Sequence, residues 1–262
     1  MAIYRGVSGV NREIKKIYRG VSGVNREIKE VWRGVGGVNR KAFAAGQAIS
    51  NLDVGSTVKI SVNGTSKAFL VVHQGNPSTS LYDSSCAGTW MLMKDIYEKR
   101  QWDAEENNSY ADSDIHAYLN STFLNLIAIK DSIKQVKIPY RPGSGSNKTV
   151  NSGANGLSCK VFLTSYTELG GSNSYAPIDG EKLPYFSSSA IRIAYLNGTA
   201  VSWSTRTPRT SGVNVWRVTD SGATGAYMSP TSSDYGVRPA FILPSDFEVS
   251  SSADSDGDYT II

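Results

Sequence analysis

The C-terminal third of the chain carries the stretch Tyr235-Gly236-Val237-Arg238-Pro239-Ala240-Phe241-Ile242-Leu243. Gly236 allows a turn, because glycine adopts backbone conformations that other residues avoid. Pro239 restricts the backbone at the other side of Arg238. We predict that Arg238, held between these two residues, pairs with an acid or with carbonyl groups in the domain interior. It should hold the fold and make no ligand contact.

An amphipathic helix is predicted earlier in the chain. Ser113 can cap its first turn, and Asp114 is favourable at a helix N-terminus. One apolar face follows at spacings of four, four and three residues, formed by Ile115, Leu119, Phe123 and Leu126.

Short strands are predicted around this helix. Residues 54–65 alternate in polarity and turn at Asn63-Gly64, the strongest short hairpin signal. Residues 89–97 indicate a mostly buried helix, or a strand leading into one. Further short strands are predicted at residues 67–72, 161–164 and 191–195. Helices early and strands late favour the α+β class.

The N-terminal arm, residues 1–46, is built from a sequence repeat. The unit Tyr4-Arg5-Gly6-Val7-Ser8-Gly9-Val10-Asn11-Arg12-Glu13-Ile14 recurs 14 residues later at 18–28, and again in degraded form at 32–43. In each unit two residues separate two valines, which predicts a tight β-hairpin. These central pairs are Ser8-Gly9, Ser22-Gly23 and Gly36-Gly37.

A tight turn of this kind has a cost, because it sets Arg5 opposite Arg12 across the hairpin, and like charges in that position are unfavourable. A longer loop would relieve the repulsion, as would a partner acid such as Glu13 or Glu27. A lone hairpin is marginal in water. We therefore expect the arm to pack on the main body, or on the same arm of another subunit.

Charge is distributed unevenly along the chain. The arm holds ten Lys and Arg against three Glu, a net charge of +7, while the other 216 residues have a net charge of −3. A basic arm suits nucleic acid or an anionic surface, but here the basic residues belong to the repeat, which favours a structural role over nucleic acid. The longest apolar run, residues 68–72, is too short for a bilayer. Residues 1–6 lack the apolar core of a signal peptide.

No common catalytic motif is present in the sequence, and we assign no catalytic residue, cofactor or metal. His73 and His116 are expected to be packing or surface residues. Cys86 and Cys159 are expected to be isolated buried thiols, although a pair between them stays open. The segment Asp254-Ser255-Asp256-Gly257-Asp258 is similar to part of a calcium loop without its closing Glu. We predict a solvated acidic tail there.

Several spaced motifs resemble a family of domains of unknown function common in gut bacteria and their phages. They are Trp203-Ser204-Thr205-Arg206-Thr207-Pro208, Trp216-Arg217-Val218, Gly222, the stretch 235–243, and the helix 113–124. The resemblance covers roughly residues 54–249. That family in turn is similar to the C-type-lectin-like fold of variable proteins diversified by retroelements. The resemblance thus implies an α+β, C-type-lectin-like domain over residues 47–262, preceded by the hairpin arm.

The same resemblance implies a hypervariable ligand-binding face between about Ser202 and Asp234. Aromatic anchors mixed with small polar groups suit such a face. The residues predicted to form it are Ser202, Ser204, Arg209, Asn214, Trp216, Tyr227, Ser229, Ser232, Ser233 and Asp234. In the alternative interpretation, Trp203 and Trp216 are core residues and the serines are ordinary loop residues.

Two functions remain in competition. The arm resembles glycine-rich hairpin repeats of prophage tail and other virion-associated proteins, so we expect a phage-associated binding protein, or otherwise one of the bacterial cytoplasm. Its partner would be a host-surface protein or glycan, and the repeats would make it a homo-oligomer, with a trimer favoured. The alternative is an enzyme of the formylglycine-generating or sulfatase-modifying type, whose oxidising versions need a reactive cysteine pair near the C-terminus. No cysteine follows Cys159, so we predict that the chain is not an enzyme.

Overall fold

The structure, a computed structural model, describes the chain except for residues 1–3, 8–9, 14–16, 22–23, 29, 36–37, 45 and 144–145. It is rich in β-strands and has few helices, which places it broadly in the α+β or mostly-β class. The strands are β1 (Tyr4–Val7), β2 (Val10–Glu13), β3 (Ile17–Val21), β4 (Val24–Ile28), β5 (Glu30–Val35), β6 (Val38–Ala44), β7 (Gly46–Ala48), β8 (Thr57–Val62), β9 (Thr65–Gly75), β10 (Gly88–Met93), β11 (Glu98–Lys99), β12 (Val136–Ile138), β13 (Leu157–Cys159), β14 (Val161–Leu163), β15 (Tyr195–Leu196), β16 (Thr199–Ala200), β17 (Trp203–Pro208), β18 (Val215–Val218), β19 (Ala226–Met228), β20 (Gly236–Val237), β21 (Pro239–Leu243), β22 (Glu248–Ser250) and β23 (Asp258–Thr260). The helices are α1 (Asp114–Tyr118), a π-helical turn (Leu119–Phe123), α2 (Leu124–Leu126) and α3 (Ser189–Arg192), with short 3₁₀ turns at Ile49–Asn51, Ser84–Cys86 and Tyr110–Asp112.

The repeat forms three antiparallel hairpins, β1–β2, β3–β4 and β5–β6, as the sequence predicts. Their registers are equivalent, so an arginine position faces an arginine position in each: Arg5 and Arg12, Arg19 and Arg26, Arg33 and Arg40. The central turn pairs of all three hairpins lie outside the described residues. The division of the chain near residue 46 stays a prediction.

The larger sheet of the main body has six strands in the order β14-β21-β10-β9-β8-β23. All its pairs are antiparallel except β8 with β23. The predicted hairpin between β8 and β9 is confirmed, and its turn residues Asn63 and Gly64 have φ of 50° and 72°. Two consecutive residues in this left-handed region define the tight turn that suits the twist of two antiparallel strands.

Of the two alternatives for residues 89–97, the strand is present, but the helix predicted in both of them is wrong. Gly88–Met93 forms β10, which lies inside the six-stranded sheet, and every one of its residues is buried. A strand covered on both faces has no alternation of polar and apolar residues, so its sequence does not distinguish it from a buried helix. The strand predicted at residues 191–195 is also largely wrong, because Ser189–Arg192 is helical and only Tyr195 enters a strand.

The helix predicted from Ser113 is confirmed. The Ser113 side chain accepts a hydrogen bond from the His116 amide, which is the expected cap. Three of the four predicted apolar positions are buried, and Leu126 is half-buried. The π-helical turn lies between α1 and α2, so the apolar face continues through a locally wider backbone.

The second sheet has five strands in the order β11-β20-β17-β18-β19. β17 is entirely buried, and β19 lies at the edge with β18 as its only described strand neighbour. Arg238, between β20 and β21, is buried as predicted. Its Nε donates to Met93 O at 2.8 Å and its Nη2 to Lys94 O at 2.9 Å, while its guanidinium lies 5.0 Å from the Trp203 ring. This arginine therefore connects the two sheets through carbonyl groups.

A buried ion pair fixes the loop that follows β14 to the second sheet. Arg206 Nη2 donates to Glu168 Oε1 at 2.6 Å and Arg206 Nη1 to Oε2 at 2.8 Å, and neither side chain is exposed. Downstream in the same loop, Asp179 accepts a hydrogen bond from the Thr207 hydroxyl at 2.8 Å. The residues between Glu168 and Asp179 are therefore held at both ends by β17.

Candidate binding surface

Four aromatic rings and one guanidinium form a continuous series of contacts at the edge of the second sheet. We call it the aromatic ladder; its members are Tyr166, Trp216, Tyr227, Arg209 and Tyr175. The Tyr166 and Trp216 rings stack with their centroids 4.5 Å apart, and the Trp216 and Tyr227 rings are nearly perpendicular with centroids 6.2 Å apart. The Arg209 guanidinium lies 4.4 Å from the Tyr227 ring and 4.9 Å from the Tyr175 ring.

Sheet register sets one half of the ladder. Trp216 on β18 lies directly opposite Tyr227 on β19, so their side chains share a face. Trp216 and Tyr166 are only 2% exposed, whereas Tyr227 is 48% exposed. The ladder thus has a fixed, buried base and an accessible end.

A short loop after β17 sets the position of Arg209. The Arg209 amide donates to Asn214 O at 2.8 Å, which closes the loop. Asn108, fully buried beneath it, donates from its side-chain nitrogen to the carbonyls of Arg209, Gly212 and Asn214 at 3.0–3.2 Å. The backbone that carries Arg209 is therefore rigid.

Tyr175 belongs to a separate segment that is pinned to the same loop. Its carbonyl accepts from the Thr210 amide at 2.8 Å and from the Thr210 hydroxyl at 3.0 Å. Its ring is 47% exposed. Arg209 consequently contacts two half-exposed tyrosines, Tyr227 on β19 and Tyr175 in this separate segment.

Two donors in the ladder have no partner among the described residues. They are the indole Nε1 of Trp216 and the guanidinium Nε of Arg209, and both atoms are buried. Arg209 Nη1, in contrast, donates to Ser211 O at 2.5 Å. Both unpaired donors belong to side chains that pack against Tyr227. A buried donor without an acceptor is costly, so each of these two donors would gain from an acceptor that a ligand supplies.

A groove of about 620 Å³ adjoins the ladder. Gly171, in its wall, packs so closely on the Tyr166 ring that an added Cβ would lie 2.5 Å from it. Ile178 in the same wall is 72% exposed. The lining residues are Lys148, Val150, Thr167, Gly171, Ser172, Asn173, Ser174, Ala176, Pro177 and Ile178. Hydroxyl, amide and apolar groups predominate there, and Lys148 is the one charged residue among them.

The structure brings three of the ten predicted binding residues, Arg209, Trp216 and Tyr227, into the ladder. Asn214 is half-buried and contributes its carbonyl to the loop closure. Ser204 is buried, and its hydroxyl donates to Gly236 O at 3.3 Å. Ser204 and Trp216 are therefore not surface side chains: both lie on strands covered by other elements, so Ser204 is part of the interior and Trp216 supports the ladder from below.

The other predicted residues lie apart from the ladder core. Ser202 accepts hydrogen bonds from Arg217 Nη1 at 2.6 Å and from the Asp220 amide at 3.1 Å. The turn after β19 carries the remaining four, of which Ser233 and Asp234 are exposed and Ser229 and Ser232 are half-buried. These five residues are polar, and none of them belongs to the aromatic ladder.

Sequence reasoning did not single out Tyr166, Tyr175 or the groove. The composition of residues 171–178 is a signal that could have indicated them, because a tyrosine and an isoleucine stand among Ser, Asn, Ala and Pro. Large apolar side chains in such a polar loop have no core to enter unless the loop folds back.

Three other groups that could carry chemistry are accounted for. Asp254, Asp256 and Asp258 bring their carboxylates within 4.8 Å of one another, but Lys59 Nζ lies 2.8, 2.7 and 3.4 Å from them. The lysine ammonium thus supplies the cation in this cluster. Hydrogen bonds to these aspartates raise the pKa of Lys59 above its usual value, so it stays charged.

The cysteines are free and buried, in line with the expectation of isolated thiols. Burial raises the pKa of Cys86 to about 11 and raises that of Cys159 further, which disfavours the reactive thiolate. Burial also lowers the pKa of His73 and of His116, so both are neutral at pH 7.

The described part of the chain has no helix long and apolar enough to cross a membrane. No curated protein and no solved structure matches the sequence. The family model for a domain of unknown function, DUF6273, matches residues 87–245, which is more than half of the chain and includes the whole ladder and groove. The chain therefore belongs to the DUF6273 family.

Proposed function

We propose that this chain is a ligand- or receptor-binding protein whose binding face consists of the aromatic ladder and the adjoining groove. The observation that carries the proposal is the position of Arg209 between Tyr175 and Tyr227, each about half exposed. Tyrosine, tryptophan and arginine are the residue types that dominate binding energy at protein surfaces. They cluster here around Tyr175 and Tyr227, which keep about half of their surface exposed.

The support beneath the ladder suits binding. Trp216 and Tyr166 hold the base, and Asn108 holds the loop of Arg209, so little conformational entropy is lost when a ligand binds. Both thiols are buried with raised pKa values, which favours binding without chemical conversion over the alternative of a cysteine-dependent oxidase.

The finer assignment is a C-type-lectin-like domain of the retroelement-diversified type, associated with a phage or prophage tail in gut bacteria. The motif series in the C-terminal third supports it, and so does the role of Arg238 in joining the two sheets. The hairpin repeats support an attachment or oligomerisation role for the arm. We propose a trimer, which light scattering of the full chain tests directly.

The binding proposal is tested with the fluorescently labelled full chain and a panel of whole gut-bacterial cells. Tyr227→Ala and Arg209→Ala should each lower cell binding at least tenfold. The matched control is Tyr195→Ala, because Tyr195 is equally exposed at 45% but belongs to the separate hairpin β15–β16. Equal binding by wild type and by both ladder variants, with melting temperatures unchanged, would refute the proposal.

A further inference from the structure

We infer that the ligand of this face is a saccharide that carries a carboxylate group, and that its carboxylate binds the two unpaired donors beside Tyr227. The inference rests on the proposed function and goes beyond it by naming the ligand class and the atoms that would recognise it.

The donors define the group that binds. Trp216 Nε1 and Arg209 Nε have no acceptor among the described residues, and both side chains pack against the same ring. An N–H donor cannot pair with another donor, so the complementary group must be an acceptor. A carboxylate offers two acceptor oxygens and gains further from the positive charge of Arg209.

In this inference, the Tyr227 ring controls whether a ligand reaches these two donors. It is the exposed one of the three side chains, and a half-exposed tyrosine rotates about its side-chain bonds in picoseconds to nanoseconds. A turn of this ring would open space beside Trp216 and Arg209 and leave the ring free to pack against the incoming ligand. The loss of Tyr227 therefore weakens binding, because the ring contributes contact area in the bound state.

The charged residues of the ladder and the groove also favour an anionic ligand. The ladder and the groove lining together contain Arg209 and Lys148 and no acidic residue. The two acids next to the groove wall along the chain, Glu168 and Asp179, are both buried, and they are bonded to Arg206 and Thr207. An anionic ligand meets two cations here and no like charge from these residues.

The rest of the surface favours a saccharide over an acidic peptide. The groove offers side-chain hydroxyls and an amide from Thr167, Ser172, Asn173 and Ser174, which pair with sugar hydroxyls as both donor and acceptor. Half-exposed tyrosine rings offer flat apolar faces to the C–H side of a sugar ring. The volume of about 620 Å³ lies in the range of small-ligand sites.

The experiment uses the full chain on an array of matched saccharide pairs, uronic- or sialic-acid-terminated oligosaccharides against their neutral counterparts, together with acidic peptides. The dissociation constant for the best pair is then measured by calorimetry. We expect at least a tenfold preference for the carboxylated member. Arg209→Gln should abolish that preference, while the control Lys99→Gln, an exposed charge removed from β11 at the opposite edge of the same sheet, should leave it unchanged.

The indole donor is tested by site-specific replacement of Trp216 with benzothienylalanine, which exchanges N–H for sulfur at nearly constant shape. Affinity for the carboxylated saccharide should fall about tenfold with no loss of thermal stability, because the N–H has no partner in the free protein. The same exchange at Trp203, whose Nε1 donates to Arg192 O at 3.0 Å, should have the opposite signature of lower stability and unchanged affinity.

Equal retention of carboxylated and neutral saccharides would overturn this inference, and so would binding of acidic peptides alone. If no saccharide is retained while whole cells still bind in a Tyr227-dependent manner, the inference fails and the proposed function stands. If neither cells nor saccharides bind, both fail.

Discussion

Removal of the buried Glu168 carboxylate should be among the most destabilising single changes in the main body. Glu168 accepts two hydrogen bonds from Arg206, one from the Tyr82 hydroxyl at 2.7 Å and one from the Ser165 amide at 2.7 Å. Glu168→Gln leaves the Arg206 cation buried without its counter-charge and sets an amide N–H against a guanidinium N–H. Loss of one partner of a buried pair costs about 3–5 kcal/mol. At about 2–4 °C per kcal/mol for a chain of this size, the melting temperature should fall by roughly 6–20 °C.

The measurement is thermal and urea unfolding followed by circular dichroism, with the double variant Glu168→Leu/Arg206→Met as the control. Arg206 also donates to the carbonyls of Pro139, Leu163 and Asp179, so the double variant should not regain full stability. It should nevertheless lose less than the sum of the two single variants, because it contains no unpaired charge. Strict additivity of the single losses, or a Glu168→Gln loss below about 1 kcal/mol, would refute the reasoning.

Four further outcomes are expected. Arg238→Ala should lower the free energy of unfolding, because Arg238 donates to the carbonyls of Met93 and Lys94 at the end of β10. Cell binding should survive below the new melting temperature; unchanged stability with lost binding would contradict this assignment. Burial raises the pKa of Asp179 to about 7, above its unfolded value of about 3.9. Between these two values the folded state binds an extra proton, so the free energy of unfolding should fall as the pH rises from about 4 to about 7. Asp179→Asn should remove this pH dependence of the free energy of unfolding. The melting temperature should not respond to Ca²⁺, because Lys59 occupies the aspartate cluster, and Lys59→Ser should make it rise with Ca²⁺. A thiol reagent should modify Cys86 and Cys159 only after unfolding, and fast labelling of the native chain would show that they are not buried.

Local signals predicted local structure well. The Ser113 cap, the Asn63-Gly64 turn and the three equivalent hairpins depend on neighbours within a few residues, and all are present. The interior role of Arg238 also follows from its two flanking residues. Prediction from the sequence failed where packing against distant elements determines the local structure. β10 is apolar on both faces because other elements cover both faces, and its residues alone do not reveal that cover.

The aromatic ladder could be inferred from the sequence only in part, for the same reason. Its C-terminal half follows from the motif series, which leads to β18 and β19 and hence to Trp216 and Tyr227. Its other half comes from residues 166–178, which reach the ladder only because Glu168 and Asp179 fix that loop to β17. No periodicity in the loop indicates such an anchor, since each of these contacts joins positions about thirty to forty residues apart.

The arrangement of anchors predicts that this surface tolerates exchange of its exposed residues. Arg206 and Thr207 on β17 point into the interior and hold the loop of Tyr175, while Arg209, two residues later, lies in the ladder. Residues that anchor the loop and a residue of the ladder thus lie within a few positions of one another. The anchoring hydrogen bonds involve no ladder side chain. Substitutions at Tyr175, Arg209 or Tyr227 should therefore change what is bound with little effect on stability, whereas substitutions at the anchors should do the reverse.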